Sequence, residues 1–100
     1  MDRCRKVDAL DDAIHQKVRL GVMSLLASAG EADFSSLKNT LGVSDGNMST
    51  HLTVLEEHGY ISIRREIDGR RPRTTYSPTG RGRRAFDAYV LALEAFIRPR

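Results

Sequence analysis

Between Ser44 and Thr53 the chain concentrates short polar side chains: Ser44, Asp45, Gly46, Asn47, Ser49, Thr50, His51 and Thr53. The serines, threonines, asparagine and histidine carry donors, acceptors or both, so together they can read a broad polar surface such as base edges and phosphate oxygens. A second group follows, made of Arg64, Arg65, Arg70, Arg71, Arg73, Arg81, Arg83 and Arg84. Arginine presents a planar fork of donors that meets phosphate oxygens or base edges two at a time. The chemistry open to these residues is recognition of a polyanion. Catalysis is not indicated, because there is no Gly-rich phosphate loop, no nucleophile elbow and no pair of carboxylates outside ordinary helix surfaces. The chain reads as a non-enzyme without a cofactor.

The distribution of charge points to the same partner. The chain has 100 residues, 40% of them hydrophobic, and a formal net charge of +3. Residues 1–63 carry six Lys/Arg against nine Asp/Glu, residues 64–84 eight arginines against two acids, and residues 85–100 two against two. The basic block is therefore local. The length fits a single domain, 1–100, whose small core makes an added subunit interface unsurprising. Cys4 alone cannot close an intrachain disulfide, and no segment resembles a signal peptide or a bilayer span, so a cytoplasmic protein with no membrane partner is expected. A thiol switch at Cys4, flanked by Arg3, Arg5 and Lys6, is an alternative. No metal site is expected. His15, His51 and His58 lack a histidine one turn away, and Asp11, Asp12 and His15, though within a turn, suit the dipole of a helix start.

The elements that must carry these residues follow from periodicity and caps. Val7, Leu10, Ile14, Val18, Val22 and Leu25 form one stripe on a helix over 8–28, but Leu20, Met23 and Leu26 lie off it. A change of phase near His15 to Lys17 accounts for these three, and two consecutive helices are the alternative to one. Gly30 suits the left-handed position after a helix. Asp33 or Ser35 can cap a second helix with Phe34, Leu37 and Leu41, closed by Gly42; Ser44 can cap a third over Asp45 to His58, closed by Gly59. Residues 33–58 thus hold two helices joined by a tight turn, with Met48, Leu52 and Leu55 inward. Residues 60–77 alternate as a hairpin: Tyr60 to Ile67, a turn at Asp68 to Pro72, then Arg73 to Ser77. Thr79 can cap a last helix over 79–98, apolar nearly all round from Ala85 to Ile97. A helix of that kind needs cover that one small core cannot supply. We read Leu10, Ile14, Phe86, Tyr89, Val90, Leu93, Phe96 and Ile97 as a dimer interface.

Helix, tight turn, helix and basic hairpin occur in the order of a winged helix-turn-helix, whose second helix enters the major groove while the hairpin follows the backbone. The expected fold is α+β, mostly α, with a two- or three-stranded antiparallel wing and terminal dimerisation helices. Three stretches extend this to a family. Ser44 to Leu52, followed by Leu55-Glu56-Glu57-His58-Gly59-Tyr60-Ile61, is similar to the recognition helix and exit of MarR/ArsR-type regulators, S-x-x-x-[LM]-S-x-H-L-x-x-L-x-x-x-G-[LY]-[IV]. Asp68-Gly69-Arg70 resembles their D-x-R wing turn. Pro78-Thr79-Gly80-Arg81-Gly82 resembles L-T-x-x-G, with proline in place of the usual leucine. Arg19-Leu20 sits where the family often has arginine and leucine, although the proline common upstream is absent.

The resemblance implies a homodimer that binds double-stranded DNA and acts in transcription, most simply as a repressor. Ser44, Asp45, Gly46, Asn47, Ser49, Thr50, His51 and Thr53 are the recognition-helix candidates, and Arg64, Arg65, Arg70, Arg71 and Arg73 the wing candidates. His51 can instead hydrogen-bond within the fold, and Arg81, Arg83 and Arg84 can contact the backbone or pair with Glu56 and Glu57. A winged helix used for protein recognition is the alternative, disfavoured by the arginine wing. A small-molecule effector is left open.

Overall fold

Helix boundaries follow side-chain caps. In the computed structural model, which describes residues 6–98, Gln16 accepts from the amides of Val18 and Arg19, Asp33 from Ser36, Ser44 from Asn47, and Thr79 from Gly82. Each bond satisfies an amide that the first helical turn leaves without a partner. The helices so begun are α1 (Lys17–Ala29), α2 (Phe34–Leu41), α3 (Asp45–Glu57) and α4 (Gly80–Ile97). Gly30 and Gly42 end α1 and α2 with positive φ of 85° and 67°.

One helix over 8–28 does not form. A single 3-10 turn, Val7–Ala9, is followed by irregular chain, and α1 starts only at Lys17. The Asp11 carboxylate accepts from the Ala13 amide at 2.8 Å and the Gln16 side chain caps the new helix, so two polar side chains divide the apolar stripe where its phase shifts. Val7 is consequently exposed, while Met23 and Leu26, off the expected stripe, are core residues.

Strands β1 (Ala32–Asp33), β2 (Ile61–Asp68) and β3 (Arg71–Pro78) form an antiparallel sheet in the order β1-β3-β2. The hairpin runs in register from Ile61 opposite Pro78 to Asp68 opposite Arg71. Its turn is shorter than the expected Asp68 to Pro72. Gly69 stands first of two loop residues with φ of 68°, where a two-residue hairpin needs positive φ. Pro72 lies inside β3, tolerated because β1 pairs only with Thr75 and Tyr76 and leaves that side of the strand open.

The core joins all parts: Ile14, Val22, Met23, Leu26, Leu37, Met48 and Leu55 are fully buried, with Tyr60, Ile61, Tyr76 and Tyr89 closing it toward the sheet and α4. Tyr60 donates its hydroxyl to the Asp11 carboxylate, fastening the irregular N-terminal segment. Burial first, then that carboxylate, pushes the Tyr60 hydroxyl up to about 12. No helix among the described residues is long and apolar enough to cross a membrane.

Candidate nucleic-acid interface

Helix α3 buries Met48, Leu52 and Leu55, which leaves Asn47, Ser49, Thr50 and Thr53 exposed on the opposite side. The structure brings these four together on one polar face. Ser44 and Asp45 are exposed as well, but each already has a partner. The Ser44 hydroxyl accepts from the Asn47 amide at 3.2 Å, and Asp45 pairs with Lys38 of α2 at 2.9 Å. Asp45 therefore ties the two helices of the turn. Thr53 donates to the Ser49 carbonyl at 3.0 Å and keeps only acceptor capacity. A Cβ at Gly46 would meet nothing within 4 Å. Internal packing does not ask for glycine there, although glycine within a helix costs about 1 kcal/mol relative to alanine.

His51 is half-buried and held from behind. Arg19 donates to its Nδ1 at 2.9 Å, while the same guanidinium bonds the carbonyls of Ala13 and Asp12. Arginine cannot accept, so Nδ1 is unprotonated and the neutral ring carries its proton on Nε2. Burial, and then the Arg19 charge, hold the His51 pKa below the ordinary 6.5. The unfolded chain takes up this proton at higher pH than the folded one, so the contribution of neutral His51 is complete above about pH 6.5 and is lost as pH falls below it. Urea unfolding at pH 7.5 and 5.5 is expected to show a larger acid loss for the wild type than for His51→Gln. Equal losses would contradict a half-buried His51 held neutral. Arg19 is not among the residues that sequence assigns to the site; its signal is the one arginine of α1, whose other charged residue, Lys17, stands at the helix start.

The wing arginines divide by face. Register places Arg64, Arg71 and Arg73 on one face of the hairpin with Glu66 and Asp68, and Arg65 on the other with Ile63, Ile67 and Tyr76. Arg64 faces Glu31 at 3.6 Å and Glu66 at 3.5 Å; Arg73 faces Asp33 at 3.8 Å and Asp68 at 3.7 Å. Arg65, Arg70 and Arg71 have no such partner among the described residues. Arg70 lies in the turn and Arg71 beside it, both exposed. Arg81 sits over the Tyr60 ring at 6.0 Å, and among the described residues no ion pair joins Arg81, Arg83 or Arg84 to Glu56 or Glu57.

The expected interface set needs correction at two positions. Ile14 and Tyr89, 0% and 2% exposed, belong to the chain's own core, where the Tyr89 hydroxyl and His15 Nδ1 share a hydrogen bond of 2.8 Å. Leu10, Phe86 and Leu93 are half-buried against that core, and Val90 and Phe96 are half-buried. Ile97 and Leu91, the latter missing from the expected set, are 63% and 60% exposed. Cys4 lies outside the described residues. Among the described residues no group of three or more His, Cys, Asp or Glu could hold a metal ion.

The sequence pattern of a family described as a winged helix DNA-binding domain matches residues 18–97. The uncharacterised protein MJ0432 of Methanocaldococcus jannaschii is 34% identical over 73 residues, which cover 73% of this chain and 79% of that protein. A transcriptional regulator homologue from Pyrococcus horikoshii superposes with a TM-score of 0.83 at 30% identity over 90% of each chain. The homodimeric winged helix-turn-helix DNA-binding domain of Mb0332 from Mycobacterium bovis, a possible ArsR-family regulator, shares the fold with a TM-score of 0.73. It is 24% identical, with 94% of this chain and 83% of that one covered.

Proposed function

Because the chain belongs to the winged helix DNA-binding domain family, we propose that it is a dimeric transcription regulator which binds a near-palindromic operator and represses by occluding polymerase. The observation that carries this reading is the pairing of two exposed surfaces, the slim polar face of α3 and the arginines at the hairpin tip, on a fold of MarR/ArsR type. A groove about 12 Å wide admits α3, and Asn47 suits an adenine edge while Ser49, Thr50 and Thr53 suit bases or nearby phosphates. Gly46 lets a phosphate approach the first turn of α3, whose free amides attract an anion. His51 offers Nε2–H. Arg65, Arg70 and Arg71 hold the backbone. Acting on chromosomal DNA, the protein works in the cytoplasm, and its role is binding, not catalysis.

Dimerisation is supported by α4. Leu91 and Ile97 are apolar and largely exposed on α4, beside half-buried Val90 and Phe96, and a partner helix would cover them. The Mb0332 domain is homodimeric. Since Leu91 and Ile97 lie outside the core, Leu91→Asp with Ile97→Asp is expected to give folded monomers by sedimentation. A dimer that survives both would place the interface elsewhere.

The division of labour is tested by binding to selected and scrambled duplexes. Asn47→Ala and Thr50→Ala should lose mainly sequence preference, about 1 to 3 kcal/mol of discrimination for each lost base contact. Variants that weaken both duplexes equally would remove α3 from base recognition.

A further inference from the structure

Thr75 is 3% exposed, and its Oγ1 is the one buried side-chain polar atom among the described residues with no hydrogen-bond partner. Buried hydroxyls are otherwise nearly always paired, because leaving one unpaired forfeits its hydration without return. Thr75 lines a cleft of about 370 Å³ at the root of the wing, between the C-terminal end of α1, α2 and the β1–β3 edge. Leu25, Ala29 and Leu37 supply an apolar wall, and Glu31, Asp33 and Arg73 stand around it.

The charges there are unbalanced. Glu31, Asp33, Glu66 and Asp68 share Arg64 and Arg73, across gaps of 3.5 to 3.8 Å. Four carboxylates thus face three guanidiniums, Arg71 standing on the same hairpin face, and the pairs that Arg64 and Arg73 make are longer than a charge-assisted hydrogen bond of about 2.8 Å. Asp33 stays ionised, since hydrogen bonds from Ser36 hold its carboxyl below the usual range.

We propose that this cleft binds a small organic cation. Its ammonium lies between Glu31 and Asp33, its hydrocarbon body against Leu25, Ala29 and Leu37, and a hydroxyl at its far end pairs with Thr75 Oγ1. The volume falls at the small end of the roughly 300 to 1,000 Å³ typical of such sites. The apolar wall favours an organic body over a bare metal ion. By competing for Glu31 and Asp33 the ammonium releases Arg64 and Arg73, so occupancy strengthens the wing's hold on phosphate; this consequence rests on the DNA-binding reading above.

The test uses the full chain without DNA, so its outcome is independent of whether an operator exists. Tyramine supplies the amine, the body and the hydroxyl, and 4-hydroxyphenylacetate supplies the same body with the opposite charge. Titrated by amide NMR, tyramine is expected to give saturable shifts confined to residues 25–40 and 73–75, and the acid none. Glu31→Gln should weaken tyramine at least tenfold, and Thr75→Val about tenfold for one lost hydrogen bond. Without ligand, Thr75→Val should fold at least as stably as wild type, since it removes an unpartnered hydroxyl. Absence of saturable shifts, equal binding of the acid, or unchanged tyramine binding by Thr75→Val would each overturn the proposal.

Discussion

Replacing Gly82 with alanine is expected to destabilise the fold by about 3 kcal/mol, the upper end of the usual cost of overpacking, because the obstructing atoms are backbone. A Cβ at this position would stand 2.8 Å from the Tyr60 carbonyl carbon and closer still to its oxygen. Both are backbone atoms that cannot swing aside. The contact is close because the first turn of α4 is hooked to the α3–β2 junction. Thr79 accepts from Gly82 at 2.9 Å, donates its hydroxyl to the Gly59 carbonyl at 2.6 Å, and gives its amide to the Tyr60 carbonyl at 3.0 Å. Gly59 itself holds φ of 75°. Helix α3, the hairpin and α4 therefore meet at one junction, and separating them costs the burial of Tyr60 and Ile61 as well. The urea midpoint reports the loss. Gly46→Ala is the matched control: with open space at its Cβ it should leave stability unchanged or raise it by up to about 1 kcal/mol, while weakening DNA binding. A Gly82→Ala midpoint equal to wild type would contradict the junction described.

Replacing Arg70 and Arg71 together with alanine is expected to weaken binding to every duplex alike. Each phosphate contact contributes about 0.9 to the slope of log K against log salt, so two lost contacts flatten the slope by about 1.8 and cost roughly sixty-fold at 0.1 M salt. These two are chosen because they lie at the exposed hairpin end without an acidic partner among the described residues, whereas Arg64 and Arg73 face Glu31, Glu66, Asp33 and Asp68. Arg64→Ala is accordingly expected to change the slope less. Titration by fluorescence anisotropy at several salt concentrations separates the cases. An unchanged slope for the double variant would take the wing off the phosphate backbone.

Local chemistry makes much of the fold legible in the sequence. Ser44, Asp33 and Thr79 are short side chains that accept from the amide three residues on, and Gly30, Gly42 and Gly59 follow the helix ends; caps of this kind depend on near neighbours, which sequence displays directly. The hairpin was legible for the same reason, although a run of turn-forming residues hid how far its ladder extends: Pro72 still pairs with Ile67.

What sequence concealed lies in contacts between distant segments. Apolar periodicity shows that Ile14 and Tyr89 are buried but not by which chain, and the tertiary fold claims both for itself through contacts such as His15 with Tyr89. The break before α1 depends on Asp11, whose partner Tyr60 is 49 residues away. Likewise, a block of eight arginines looks uniform until folding sets Glu31 and Asp33 beside two of them. The polar α3 face was readable because it is the remainder of a helix whose inward side is plain. Sequence leaves His51 open to two roles because Arg19 lies 32 positions before it.

The most direct test is selection of duplexes from a random library by the purified protein at two salt concentrations, followed by sequencing. The expected result is an enriched near-palindrome with half-sites about 34 to 36 Å apart, bound more weakly at the higher salt. Absence of salt-sensitive enrichment from any duplex would contradict operator binding and turn the same surfaces toward recognition of a protein partner.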